Sequence, residues 1–366
     1  MTTRLQRLYT EQDQSPWLDN LKRGWITSGE LERWVERGVR GITSNPTIFQ
    51  KAMASGDAYD AQLAELTSAG ASTLDAYWAA VTKDITDALD IMAPVHESSA
   101  GLDGYVSLEL APELARETDA STEAARQLHT TIARPNLYVK VPGTAEGLPA
   151  VQQMIAEGHS INVTLIFGLD RYAEVIEAYL AGLEAAEGDL SGVSSVASFF
   201  VSRLDTEVDR RLDAIGTDEA LALRGTAAVA QAQCAYQLFL DRFSGSRWEA
   251  LEARGARVQR PLWASTSTKN PAYRDTLYVD ELIGPRSVNT MPDATLEAFE
   301  EHGSLERRVD ADPDAAQATL DRLADVGVDM ADVTRVLEDE GVASFSKSFD
   351  ELLGVLGDKA EQLRQG

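Results

Sequence analysis

The sequence predicts an α/β fold closed into a (β/α)8 barrel, a TIM barrel, with additional helices between strands 2 and 3 and at the C-terminus. Three observations carry that expectation. Short β-rich runs alternate with longer amphipathic stretches, the signature of βαβ units around a parallel sheet. Eight such runs can be counted along the chain. No G-x-G-x-x-G follows the first run and no G-x-x-x-x-G-K-Ser/Thr loop occurs, which weakens a nucleotide-binding doubly wound sheet as the rival.

The expected strands are PWLDN (16–20), VRGITSN (39–45), GYVSLEL (104–110), NLYVKVP (136–142), SINVTLIF (160–167), SSVASFFV (194–201), RPLWAST (260–266) and TLYVDELI (276–283). Amphipathic stretches such as 28–38, 148–158 and 170–186 separate them, and 205–255 is rich in Ala, Leu, Arg and Glu. A barrel takes about 250 residues, so the 366 here leave material for insertions. Part reads as helices within 50–100, and part as three helices after the last strand, around 294–303, 314–327 and 342–356. With no repeat, low-complexity tract or Pro/Gly-rich linker, residues 1–366 are expected to form one barrel domain.

Composition narrows the function. Hydrophobic residues make up 44% and charged residues 25%, ordinary for a globular chain. Acids outnumber bases 59 to 33, a net charge of -26, which disfavours nucleic acid and anionic membrane as partners. It would also repel a phosphorylated substrate unless a pocket reverses the sign locally. The single cysteine, Cys234, is expected in a helical core, and the four histidines show no metal-ligand spacing. No metal or cofactor is implied. A polar N-terminal stretch and the lack of a long apolar run point to a cytoplasmic protein.

Alternation along the strands singles out the lumen. In LYVKVP, Leu137, Val139 and Val141 suit the helix-facing side, which turns Tyr138 and Lys140 inward, with Lys140 near the C-terminal end where barrel active sites lie. The same parity turns Ser107 and Glu109 inward in YVSLEL, Asn162 and Thr164 in INVTLIF, and Ser198 and Phe200 in SVASFF. Asp19 ends the first strand and Asn45 the second, while the seventh runs into Ser265, Ser267 and Lys269. Any one of these polar residues could serve the scaffold. Their convergence on one end of the barrel is what asks for a chemical role, and Lys140 is one of only seven lysines against 26 arginines.

A buried lysine can offer a free amine, which condenses with a carbonyl to a Schiff base and allows carbon–carbon cleavage without a metal. Cleavage beside a hydroxyl needs a base, for which Asp19 or Glu109 is available; Glu109 with Thr164 could hold the water that imine formation exchanges. Arg203, Ser267 and Lys269 offer a cationic patch suited to a phosphate.

The runs GITSNPTIF (41–49), LYVKVPGTAEGL (137–148), INVTLIF (161–167), ASFFVSRLD (197–205) and WASTSTKNPAY (263–273), in that order, resemble the signature segments of the transaldolases, in the longer form of actinobacterial type. The resemblance extends over about residues 15 to 350. It implies a class I aldolase barrel in the non-oxidative pentose phosphate pathway. Such an enzyme passes a dihydroxyacetone unit from sedoheptulose 7-phosphate or fructose 6-phosphate to glyceraldehyde 3-phosphate or erythrose 4-phosphate. Residue by residue, it implies Lys140 as the Schiff-base lysine, Asp19 as the acid/base of cleavage, and Glu109 with Thr164 around the catalytic water. It likewise implies Asn45, Asn162 and Ser198 at the substrate hydroxyls, Phe200 lining the pocket, and Arg203, Ser267 and Lys269 at the phosphate. Many family members carry arginine where this chain has Lys269. Two alternatives stand beside this reading: an aldolase that releases free dihydroxyacetone, and a non-catalytic sugar-phosphate binder.

Overall fold

The computed structural model describes residues 2–365. Eight strands, β1 (Gln14–Leu18), β2 (Ile42–Thr43), β3 (Val106–Glu109), β4 (Leu137–Pro142), β5 (Ile161–Ile166), β6 (Ser195–Phe200), β7 (Arg260–Ala264) and β8 (Ser287–Met291), close into a barrel in chain order. Every neighbouring pair is parallel. All residues of these strands are buried, the expected state of a sheet with side chains on one face and helices on the other.

Seven of the expected strands fall where the alternation put them, within two to three residues at each end. The eighth does not. TLYVDELI holds a short helix, Leu277–Asp280, and the closing strand is SVNTM, at Ser287–Met291. A short apolar run does not distinguish a buried helical turn from a strand, and here specific bonds favour the helix. Tyr278 Oη donates to Asp205 at 2.8 Å, and the buried Asp280 carboxylate accepts from Thr276 Oγ1 at 2.8 Å and the Ser304 amide at 2.9 Å. The shift changes the tail as well. Asp293–His302 is the barrel's own eighth helix, leaving Pro313–Asp325 and Met330–Gln365 as the C-terminal additions.

β5 also departs from simple alternation. Leu165 takes φ 60°, and the register with β6 skips between Val163 and Ile166, so that Ile166 aligns with Phe199. This bulge ends the inward run at Thr164, where the expected outward series Leu165–Phe167 would have continued the strand. Leu165 and Phe167 instead pack close to Gly341 of the long C-terminal helix.

The barrel base is sealed by an ion network. Asp103, fully buried, accepts from Ser15 Oγ, Trp17 Nε1, Arg40 Nε and Arg260 Nη2 at 2.7–3.3 Å. Above it Tyr105 stacks on Tyr138 at 4.0 Å, with Trp17 alongside. Gly41 lies so close under the Trp17 ring that a Cβ there would come within 2.3 Å of it. Cys234 is half-buried on the helix Ala227–Arg242 rather than in the core. No helix among the described residues is long and apolar enough to cross a membrane.

The expected helices between β2 and β3 are present as Pro46–Ala54, Asp60–Ser68 and Thr73–Ser98. They are anchored to the barrel by Arg23, whose Nε meets the buried Asp84 at 2.6 Å, with Tyr59 Oη donating to the same carboxylate at 2.7 Å. The 36-residue helix Met330–Gln365 then crosses the C-terminal end of the barrel. Contacts mark its course: Asp332 to Arg211, Glu338 to Arg171, Asp339 to Arg116, Ser348 to Thr47 and Lys359 to Asp60.

Burial pushes the Asp103 carboxyl up, but the charges and hydrogen bonds of Arg260 and Arg40 outweigh it and hold the group below its usual value. Such a carboxylate stabilises the fold above its unfolded pKa and loses that contribution as pH falls through the lower folded value. Asp103→Asn, which leaves two buried guanidiniums short of a counter-charge, is expected to cost about 3–5 kcal/mol at pH 7. In denaturant titrations the gap to the unaltered protein should narrow below about pH 4.

Candidate active site

A cavity of about 530 Å³ opens at the C-terminal end of the barrel, under the long C-terminal helix. Nine of the eleven residues singled out in the sequence line it: Asp19, Asn45, Lys140, Thr164, Ser198, Phe200, Arg203, Ser267 and Lys269. Glu109 and Asn162 do not; they flank Lys140 on the two neighbouring strands.

Register explains this arrangement. Glu109 on β3, Lys140 on β4 and Asn162 on β5 are direct cross-strand partners, so all three point into the lumen at one level. Lys140 Nζ donates to Glu109 Oε2 at 3.1 Å and to the carbonyl oxygen of Ser44 at 3.1 Å. Both side chains of the pair are 5% exposed. The lysine is therefore not in an apolar sleeve but in a buried ion pair with one face toward the cavity. Burial pushes the Glu109 carboxyl up, against the opposing charge and hydrogen bond of Lys140. Asn162 spends its amide on its neighbours, donating to Ser107 Oγ at 3.1 Å and accepting from Ser198 Oγ at 2.7 Å. It thereby fixes the Ser198 hydroxyl at the cavity wall.

Asp19 follows β1 directly, its backbone amide still bonded to the Met291 carbonyl of β8. Its carboxylate accepts from Thr43 Oγ1 at 2.8 Å, and Thr43 in turn shares a 2.6 Å hydrogen bond with Thr290. Burial pushes the Asp19 carboxyl up, against the charge of Lys140 and the Thr43 bond. Asn45 caps the helix Pro46–Ala54 by accepting from the Ile48 amide at 3.0 Å, and its NH2 group makes no hydrogen bond among the described residues. Thr164 Oγ1 is buried and makes no hydrogen bond among the described residues. A buried hydroxyl of this kind in a polar cavity is a seat for a water or a ligand oxygen.

The rim is cationic. Arg203, in the first turn of Ser202–Ile215, forms no ion pair among the described residues, and its guanidinium lies 5.4 Å from the Phe200 ring centre and 5.9 Å from that of Phe345. Lys269 Nζ donates to Ser267 Oγ at 2.6 Å. The β6 and β7 ends that carry these groups are tied by a 2.9 Å bond between Ser202 and Ser265. Among the described residues no group of three His, Cys, Asp or Glu side chains is placed to hold a metal.

Sequence reasoning missed several parts of this site. Thr43 shares the inward parity with the other lumen residues and could have been found by extending the alternation to GITSN. Thr290 was hidden by the misplaced eighth strand. Ser44 contributes only its carbonyl, which no side-chain pattern reveals, and Phe345 arrives from a helix far along the chain.

A family described as Transaldolase/Fructose-6-phosphate aldolase matches residues 16–356. The chain belongs to this family. It is 53% identical to a transaldolase of Thermobifida fusca over 92% of this chain and 93% of that one. It is also 52% identical to a transaldolase of Mycolicibacterium smegmatis (93% and 93%) and 48% identical to transaldolase 2 of Streptomyces coelicolor (96% and 96%). The family match begins within β1 and runs into the C-terminal helix, so it spans every strand end that lines the cavity.

Removing Lys140 leaves Glu109 buried without its cation. Lys140→Met is expected to lose about 3 kcal/mol of stability at pH 7. Burial then raises the lone Glu109 carboxyl further, so the penalty is smallest below the unfolded pKa, roughly 4, and grows as pH rises. Lys140→Met combined with Glu109→Gln should recover most of the loss in thermal melts, because the uncompensated charge is gone.

Proposed function

We propose that this protein is a transaldolase, a transferase that moves a dihydroxyacetone unit between sugar phosphates through a Schiff base on Lys140. The observation that carries this reading is a lysine amine in the cavity wall, ion-paired at 3.1 Å with a carboxylate, beneath a rim of cations suited to a phosphate. The acting unit is one barrel domain, its partners are small-molecule sugar phosphates, and its compartment is the cytoplasm. The pathway is the non-oxidative pentose phosphate pathway.

In the reaction, Lys140 Nζ gives up a proton toward Glu109 and attacks the C2 carbonyl of the donor ketose. Water leaves from the carbinolamine, taking a proton relayed through Glu109 and a water seated on Thr164, and an iminium forms. Asp19 accepts the C4 hydroxyl proton as the C3–C4 bond breaks, its electron pair passing into the iminium to give an enamine. The shortened aldehyde phosphate departs. An acceptor aldehyde takes its place, the enamine carbon attacks it, and Asp19 returns the proton. Hydrolysis by the water held between Glu109 and Thr164 frees the new ketose and Lys140. Asn45 and Ser198 hold the hydroxyls of the dihydroxyacetone unit, and Phe200 with Phe345 shields the bond being broken. Arg203, Ser267 and Lys269 take the phosphate.

Fructose 6-phosphate should be consumed only when erythrose 4-phosphate is supplied, with glyceraldehyde 3-phosphate and sedoheptulose 7-phosphate appearing in equal amounts. Turnover without acceptor, releasing dihydroxyacetone, would favour the aldolase reading. The raised Asp19 carboxyl must be ionised to act as base, so activity is lost as pH falls through that raised value. The acid limb of kcat/KM should therefore lie above about pH 4, and Asp19→Asn should lower kcat about a hundredfold or more. A limb at ordinary carboxylate values would remove Asp19 from the proton transfer.

A further inference from the structure

The cavity holds more cations than the phosphate site just described uses. Of the seven lysines, Lys83, Lys140, Lys347 and Lys359 each pair with a carboxylate. The remaining three, Lys22, Lys51 and Lys269, have no carboxylate partner among the described residues, and all three line this one cavity. The chain carries 59 acids, yet none of them comes within ion-pair distance of these three lysines among the described residues. Lys22 lies over the Trp25 ring, 4.4 Å from its centre, whereas Lys51 and Lys269, beside an Arg203 that is likewise unpaired, mark a place kept free for an anion.

Lys51 is the most telling of these. It extends from the last turn of the helix Pro46–Ala54, on the β2 side of the opening. The helix is braced, capped by Asn45 at its start and bonded from Thr47 Oγ1 to Ser348 at 2.8 Å. Arg203 and Lys269 approach from the β6 and β7 sides. Burial and the Arg203 charge push the Lys269 ammonium down, and Lys51 adds to the same effect, so the Lys51 and Lys269 charges act on each other. Arg203 is half-buried, whereas Lys269 and Lys51 are exposed. The cations thus run from the inner wall outward to the rim.

Resting on the transaldolase reading above, we infer that Lys51 is a third cation of the phosphate site and sets its reach for ketoses of different length. With C2 pinned at Lys140, the phosphate of a seven-carbon ketose lies one carbon farther out than that of a six-carbon ketose. Arg203 with Lys269 holds the nearer position, and Lys269 with Lys51 the farther. Ammonium groups on flexible stems follow a phosphate between two positions, where a planar guanidinium fork would fix it at one.

The test compares Lys51→Met and Lys51→Arg with the unaltered protein. Inorganic phosphate binding, measured by calorimetry and needing no chemistry at Lys140, should weaken about tenfold in Lys51→Met; unchanged binding overturns the assignment. For sedoheptulose 7-phosphate, kcat/KM should fall about tenfold, against roughly two- to threefold for fructose 6-phosphate, with most of both losses restored by Lys51→Arg. Equal losses on the two donors overturn the role in reach. Dihydroxyacetone, which carries no phosphate, should be trapped by borohydride equally well in all three proteins. A loss of trapping confined to Lys51→Met would mean that Lys51 acts on the reacting end of the cavity, and would also overturn the proposal. Failure of trapping in the unaltered protein would refute the Schiff-base reading, while the phosphate measurement would still decide whether Lys51 belongs to the anion site.

Discussion

Glu109, Lys140 and Asn162 stand abreast because β3, β4 and β5 share one register, and the rest of the site is arranged around that row. A slip of a single residue on any of the three strands would turn its polar side chain out into the helix layer. Burying an ion pair is costly unless each charge finds partners. Here Lys140 has Glu109 and the Ser44 carbonyl, while Asn162 anchors Ser107 on one side and Ser198 on the other. The lumen is graded along its axis. At the base the Asp103 network and the stacked Tyr105 and Tyr138 serve the scaffold, and the cavity at the opposite end carries the groups suited to chemistry. An unpartnered Thr164 hydroxyl belongs to that second region, where a polar group is left for a water or a substrate.

Electrostatics separates the cavity from the rest of the surface. A chain of net charge -26 repels phosphorylated molecules at long range, and most of its arginines are committed to ion pairs with neighbouring acids. At the barrel opening the pattern inverts: Arg203, Lys22, Lys51 and Lys269 line one cavity, and none of them has a carboxylate within ion-pair distance among the described residues. Low-dielectric walls concentrate such a field inside a cleft, so the local sign outweighs the global one for a ligand that has arrived. The C-terminal helix contributes to the same end, since the Phe345 ring stands 5.9 Å from the Arg203 guanidinium.

How legible this was depends on where each constraint resides. The barrel was readable because βαβ units leave a periodic trace, and lumen residues were readable wherever a strand alternates cleanly, as in LYVKVP. The eighth strand was not, because SVNTM is short and polar while the nearby apolar run at 276–283 earns its burial as a helix, held by Tyr278 and Asp280. The bulge at Leu165 was equally hidden, since nothing in INVTLIF announces a residue with positive φ. For the site, side chains on strand ends were within reach of pattern reasoning. Tertiary additions were not: Phe345 comes from a helix laid across the barrel, Thr290 from the unrecognised strand, and Lys51 from a surface helix whose orientation only the fold determines. That Asn162 braces Ser198 likewise needs the cross-strand bond to be seen.

In the proposed reaction Lys140 carries the substrate covalently. Incubation with fructose 6-phosphate and borohydride, followed by intact mass and peptide mapping, tests it most directly. A reduced dihydroxyacetone adduct is expected on the peptide bearing Lys140 alone, and is expected to be missing from Lys140→Met combined with Glu109→Gln. A folded protein that binds the sugar phosphate yet yields no adduct, or yields one on another lysine, would contradict it.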